Sequence, residues 1–301
     1  MSLVLLKVGG ELLEDGAALR AVADGVARVT AGGTPLVIVH GGGREIDAAV
    51  EAAGIEKRQI DGLRITDSAT LEIVVSVLAG AVNTRFVAAL TTAGVPAVGL
   101  TGADASCGLC DTAGPHRTID GRLVDLGRVG VPSDRADMRL LAALVSQRFV
   151  PVVACIGIGD DGRLLNVNAD TLAGHLAARL GARRLVIAGT TPGVLDGSGA
   201  TLALVEAQMI PQLLHNGIAT AGMIAKLRAS ERALSAGVGD VVIVDGRDSA
   251  ALESATGHQA PARSTLLVST VTQGREGSHT NAAMHEIHNA GMHQCTNARR
   301  H

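Results

Sequence analysis

Short, continuous apolar runs alternate with longer stretches of helical period along this chain, and that alternation constrains the fold more than any other feature. The runs are "LVLLKV" (3–8), "PLVIVH" (35–40), "PAVGL" (96–100), "VPVVA" (150–154), "RLVIA" (184–188) and "DVVIV" (240–244). A strand that is apolar at every position is covered on both faces, which is the habit of parallel strands with helices on each side. Between the runs, Leu19, Val22, Val26 and Val29 recur at helical spacing, as do Leu172, Leu176 and Leu180. The pattern predicts an α/β fold, a sandwich of helices around a mainly parallel sheet. A count of 38 glycines against 8 prolines suits its tight strand-to-helix turns.

Composition narrows the partners. A chain of 301 residues, 47% hydrophobic, can bury the core of one large domain or of two intimate lobes. With no Trp or Tyr and only Phe86 and Phe149, packing rests on Leu, Val, Ile and Ala, and stacking on nucleic-acid bases is not expected. A formal net charge of -3 also lacks the basic excess of a nucleic-acid surface. No apolar run reaches membrane-spanning length and no signal-peptide layout opens the chain, so a cytoplasmic protein with no membrane partner is expected. Its four cysteines are then thiols. The order of motifs suggests an N-terminal lobe (1–150), a C-terminal lobe (151–268) and a flexible tail (269–301). Within the first lobe, residues 102–131, with "TIDGRLVDLG", predict a β-hairpin excursion around Asp120 and Gly121.

Two glycine loops follow strands. In "LLKVGG", Lys7 sits near the end of an apolar run, where an ammonium is costly to bury without an anionic partner. In "VIVHGGGREID", Gly41, Gly42 and Gly43 lie directly between a strand and a helix. Backbone N–H groups there can approach an oxyanion next to the positive end of the helix dipole. A tight turn is the plainer explanation of one glycine, but three together favour oxyanion binding. Neither loop is a Walker loop or Gly-x-Gly-x-x-Gly, so dinucleotide binding is disfavoured. In "LLNVNADTLAGHLA", Asn166, Asn168 and Asp170 alternate just before a helix, where Asn168 suits an N-cap and Asp170 the first-turn dipole. In "TAGMIAKLRASERAL", Lys226 falls early in an amphipathic helix.

Together with "DGLRITD" (61–67), "LAGAVN" (78–83) and "PGVLD" (192–196), these motifs resemble the amino acid kinase family, most closely its branch that acts on N-acetyl-L-glutamate. They occur in the family's order from about residue 3 to 268. The resemblance implies an open three-layer αβα sandwich that phosphorylates the γ-carboxylate of N-acetyl-L-glutamate with ATP and Mg²⁺, the second step of arginine synthesis. It places the amino acid over the first lobe and the nucleotide over the second. It implies that Lys7 and Lys226 hold the phosphates from opposite sides, that Asp170 orients both, and that Gly9, Gly10 and Gly41 to Gly43 offer N–H groups to the moving phosphoryl and the reacting carboxylate. Arg64 would grip a substrate carboxylate, with Asn166 and Asn168 at the amino-acid end. Gly189, Thr190, Gly193, Gly222 and Met223 would border the nucleotide.

One departure bears on that nucleotide site. Where the family usually carries Ser/Thr-Asp, this chain has Gly189 and Thr190, so weaker ATP binding is expected. The alternatives are a kinase for another N-blocked acidic amino acid, such as N-succinylglutamate or carrier-linked aminoadipate, and a non-catalytic amino-acid-binding regulator. Only six residues precede Lys7, which leaves no room for the extra helix of arginine-inhibited hexameric members, so an arginine-insensitive homodimer is expected. The tail holds His279, His285, His288, His293, Cys295 and His301, at no common zinc spacing, and Cys107 and Cys110 form a single pair. No metal site is read from either.

Overall fold

A computed structural model describes residues 2–118, 121–215, 221–257 and 260–269. The expectations for the tail beyond residue 269 and for Asp120 lie outside the described residues.

The apolar runs become strands within a residue or so of the expected ends: β1 (Val4–Val8), β2 (Leu36–His40), β3 (Ala97–Thr101), β4 (Val150–Ala154), β5 (Arg184–Gly189) and β7 (Asp240–Asp245). Two short strands not read from the sequence, β6 (Leu204–Glu206) and β8 (Ser264–Val268), complete an eight-stranded sheet ordered β6–β8–β7–β5–β1–β2–β4–β3. Every neighbouring pair is parallel except β7–β8. The sheet is open and mainly parallel, with helices on both faces.

Successive side chains of a strand point to opposite faces, and β1 serves both layers. Val4, Leu6 and Val8 join the layer with Leu19, Val22, Val26 and Val29 of α2 (Gly16–Ala31). Leu5 joins the other, with Leu172 and Leu176 of the helix Ala169–Arg179. Lys7, two residues on from Leu5, shares its face. The strand period therefore directs the lysine toward the helix that carries Asp170.

The helix Ser68–Thr92 is long and apolar enough, by length and composition, to cross a membrane. Ser76, Gly80 and Asn83 interrupt the apolar run in the linear sequence, which hid it, but a helix tolerates all three without gaining a charge. Val74, Leu78, Val82, Phe86 and Leu90 along it are buried in the sheet packing, Ile73, Val75, Val77 and Val87 pack against the core, and its exposed positions, among them Ser76, Gly80, Thr84 and Ala88, are small or polar. The expected hairpin is present, with His116–Arg117 antiparallel to Leu123–Val124 and Gly121 at φ 87°. Cys107, Cys110 and Cys155 are free, buried thiols.

Candidate active site

The C-terminal ends of β1 and β2 run into α1 (Gly10–Glu14) and α3 (Gly43–Ala52), so both glycine loops open at one edge of the sheet. They touch: a Cβ on Gly10 would stand 2.6 Å from the Gly42 Cα, and one on Gly42 would stand 2.8 Å from Leu78. Gly9 donates its N–H to the Ala188 carbonyl at 2.9 Å, and Gly41 donates to Val8 at 3.3 Å, tying both loops to the strand ends. Gly43 has nothing within 4 Å of its Cβ position. Behind the second loop, Asn83 of "LAGAVN" donates from Nδ2 to His40 Nε2 at 3.0 Å and to the Val152 carbonyl at 2.9 Å. His40 is then the Nδ1–H tautomer, donating to the Gly41 carbonyl at 3.1 Å. Burial pushes its pKa down to about 4, so it stays neutral and fixes the start of the loop.

Lys7 has not emerged from the core. It is 6% exposed, and its Nζ lies 3.0 Å from Asp170 Oδ1, itself 7% exposed. Burial works to lower the Lys7 pKa, but the Asp170 carboxylate, and then Glu11, raise it by more, so the ammonium is held charged. Asp170 is the second residue of the helix Ala169–Arg179, whose N-cap Asn168 accepts the Thr171 N–H at 3.0 Å. Asn166 donates to Thr66 Oγ1 at 3.0 Å. On the helix Ala221–Ser235, Lys226 is half-buried and donates to the Gly222 carbonyl at 3.5 Å. Burial, and then repulsion from Lys7, lower its pKa.

A cleft of about 260 Å³ lies over this edge, lined among others by Lys7, Gly10, Gly41 to Gly43, Arg64, Asn166, Asn168 and Asp170. A lone arginine is most often a surface residue. The Arg64 side chain is instead 8% exposed, with Nη2 on the Gly43 carbonyl at 3.3 Å and on the Asp47 carboxylate. Its Nη1 is buried with no hydrogen-bond partner among the described residues. One side of a planar fork is anchored and the other has no partner among the described residues.

The residues expected around a nucleotide do not line this cleft. Gly189, at the end of β5, accepts the Gly246 N–H at 2.8 Å, and the exposed Thr190 accepts from Arg247 at 3.0 Å. Gly193 packs so closely on Thr265 Oγ1 that a side chain would collide, which accounts for the glycine by packing alone. Gly222 is exposed and Met223 is buried in the core.

The sequence model of the amino acid kinase family matches residues 2–245. The chain belongs to the amino acid kinase family. It is 40% identical over 248 residues to an acetylglutamate kinase of Erythrobacter litoralis, covering 81% of this chain and 82% of that one. It is 41% identical over 244 residues to an acetylglutamate kinase of Methanopyrus kandleri, covering 80% and 94%. Among solved structures, N-acetylglutamate synthase of Neisseria gonorrhoeae, complexed with coenzyme A and N-acetyl-glutamate, is similar with a TM-score of 0.76 at 25% identity. That match covers 94% of this chain and 63% of the synthase.

The amino acid kinase motifs located most of the cleft, but not all of it. Glu11, Gln59 and Cys155 also line it, and Asp47 holds Arg64 from behind. Glu11 directly follows "KVGG", and Asp47 closes "HGGGREID", so both were within reach of the sequence as carboxylates no more than about one helical turn from a glycine loop. Cys155 follows an apolar strand and carried no signal. Burial pushes its thiol pKa up to about 12, so it contributes no charge.

Proposed function

We propose that this chain transfers the γ-phosphoryl of ATP to the γ-carboxylate of N-acetyl-L-glutamate, as a kinase of arginine biosynthesis. The observation that carries the reading is the Lys7–Asp170 ion pair at 3.0 Å, buried in the same cleft as the half-used fork of Arg64. A held ammonium beside glycine N–H groups suits charge that spreads over phosphoryl oxygens, and an arginine with a free donor face suits a carboxylate. Relatives named acetylglutamate kinase, at about 40% identity, supply the substrate.

In this reading Lys7, held protonated by Asp170, faces the transferred group from β1, and Lys226 approaches from the helix Ala221–Ser235. Asn166 and Asn168 line the amino-acid end, and the C-terminal residues Gly189, Thr190, Gly193, Gly222 and Met223 border the nucleotide. A carboxylate is already a nucleophile, so no general base is required. Mg²⁺ would accompany the nucleotide and neutralise its oxygens. It takes oxygen ligands, usually one or two carboxylates with phosphates. No group of three His, Cys, Asp or Glu side chains fit to hold a metal occurs among the described residues, but Glu11 supplies one carboxylate in the cleft. The chain therefore fits a cation that arrives with ATP.

The reading includes a cytoplasmic homodimer. What supports the dimer is β3, which ends the sheet with one edge unpaired among the described residues, and Phe149, 43% exposed just before β4 beside it.

Hydroxylamine trapping of the acyl phosphate, with Mg-ATP and N-acetylglutamate, N-succinylglutamate or glutamate, tests the function. The expected product comes from the acetyl compound and little from glutamate, whose free ammonium is costly to desolvate where a neutral amide fits. A preference for glutamate or the succinyl compound moves the chain to another branch, and no product with any acceptor leaves the regulator reading.

A further inference from the structure

Glu11 stands in the first turn of α1, immediately after the "KVGG" loop, and its side chain lines the cleft with Lys7 and Asp170. The carboxylate lies over Gly9: a Cβ on Gly9 would be 2.5 Å from both Oε1 and Oε2. Oε1 is also 3.3 Å from where Gly189 would carry its Cβ, and that same point is 3.6 Å from Lys226 Cε. Two positions without side chains, on different strand ends, thus leave room for one carboxylate between the two lysines.

Lys7 and Lys226 both feel the negative charge of Glu11. Yet among the described residues Glu11 makes no hydrogen bond and no ion pair within 4.0 Å. Asp170, not Glu11, is the partner of Lys7. An unpaired carboxylate in a cleft built for phosphates is repulsive to them unless a cation lies between. Cations of that kind are commonly held by one or two carboxylates and the substrate's phosphate oxygens, without a complete protein cage.

We propose that Glu11 is the protein ligand of the divalent cation that accompanies the nucleotide, its carboxylate lying over Gly9 and beside Gly189. This rests on the kinase reading. It also recasts the Gly189-Thr190 departure: a carboxylate is missing from the end of β5, but another reaches the same corner from α1.

The test is a Mn²⁺ titration by electron paramagnetic resonance, on the full chain, with and without AMP-PNP. The chain alone should bind Mn²⁺ poorly, and the chain with AMP-PNP tightly. Glu11→Gln should weaken Mn²⁺ in the ternary complex by about tenfold, the loss expected for one charged ligand. Metal-free AMP-PNP, titrated in EDTA by calorimetry, should bind Glu11→Gln as well as the parent or better, because a repulsive charge has gone. Gly189→Ala, which crowds the carboxylate, should weaken Mn²⁺ in the parent and add nothing in Glu11→Gln. Unchanged Mn²⁺ affinity in Glu11→Gln, or an equal loss for metal-free AMP-PNP, overturns the proposal. A parent chain that binds no AMP-PNP sinks the kinase reading itself, and the titration of the parent tells the two failures apart.

Discussion

Gly10 and Gly42 meet backbone to backbone, with 2.6 Å between the Gly42 Cα and the point where Gly10 would carry a Cβ. Neither glycine has a positive φ in the structure, so close approach rather than backbone conformation fixes the residue type. The two loops are one device, and each sets the position of the other's N–H groups.

Gly10→Ala must push the loops apart. Misplacing transition-state donors by about 1 Å costs roughly a hundredfold in turnover. We expect that loss in kcat, in a chain that still folds by circular dichroism. Gly43→Ala, whose Cβ meets open space, is the control and should lose far less kcat than Gly10→Ala, with stability shifted by no more than about 0.5 kcal/mol. Equal losses in the two variants would show that the contact does not matter.

The Lys7–Asp170 pair separates stability from catalysis. Lys7→Met leaves Asp170 buried and uncompensated, which costs about 3 to 5 kcal/mol, whereas removing both charges in Lys7→Met/Asp170→Asn is close to neutral. Chemical denaturation should show this loss and recovery, while trapping assays stay at least roughly a hundredfold down in both variants. An active double variant would dispose of the proposed role of Lys7.

The two lysines are expected to respond to pH in opposite ways. The raised pKa of Lys7 contributes stability that is fully present below its unfolded value of 10.5 and is lost as pH rises through the higher folded value. Lys226, lowered by burial and by Lys7, loses its proton first and should set the alkaline limb of the rate profile, beginning below 10.5. Lys226→Arg should move that limb upward, because a guanidinium stays protonated. A limb that does not move in Lys226→Arg belongs to another group.

What the sequence made legible follows from which forces are local. The apolar runs of β1, β2, β4, β5 and β7 are buried along nearly their whole length, so continuous hydrophobicity marked them. β6 has three residues and borrows its order from β8, a long-range pairing with no local signal. The glycine loops were visible because close backbone approach demands a residue type. Arg64 was ambiguous because its burial depends on Asp47, 17 positions away in the chain and brought near by the fold. At Gly189 and Thr190 the loss of a carboxylate was readable, but the position of Glu11 beside Gly189 was not, since it depends on β1 and β5 being neighbours.

Arg64 gives the sharpest division between the two substrates. Its Nη2 is held by Asp47 and the Gly43 carbonyl, and its buried Nη1 awaits an acceptor, so the fork is rigid before the ligand arrives. Arg64→Lys keeps the charge but cannot reach Asp47 and a ligand carboxylate together. Losing one charge-assisted hydrogen bond costs about 1.5 to 3 kcal/mol, so KM for N-acetylglutamate should rise by roughly tenfold or more. Because Arg64 lies over α3 and not beside β5, the KM for ATP should stay within about twofold. Burial works against the ionised form of Asp47, but Lys57 and Arg64 more than offset it, and Lys57 remains in the variant at 2.6 Å, so the carboxylate is not stranded. Steady-state kinetics with each substrate varied in turn decides the matter: a parallel rise in both KM values would place Arg64 in the framework of the cleft and not at the amino acid.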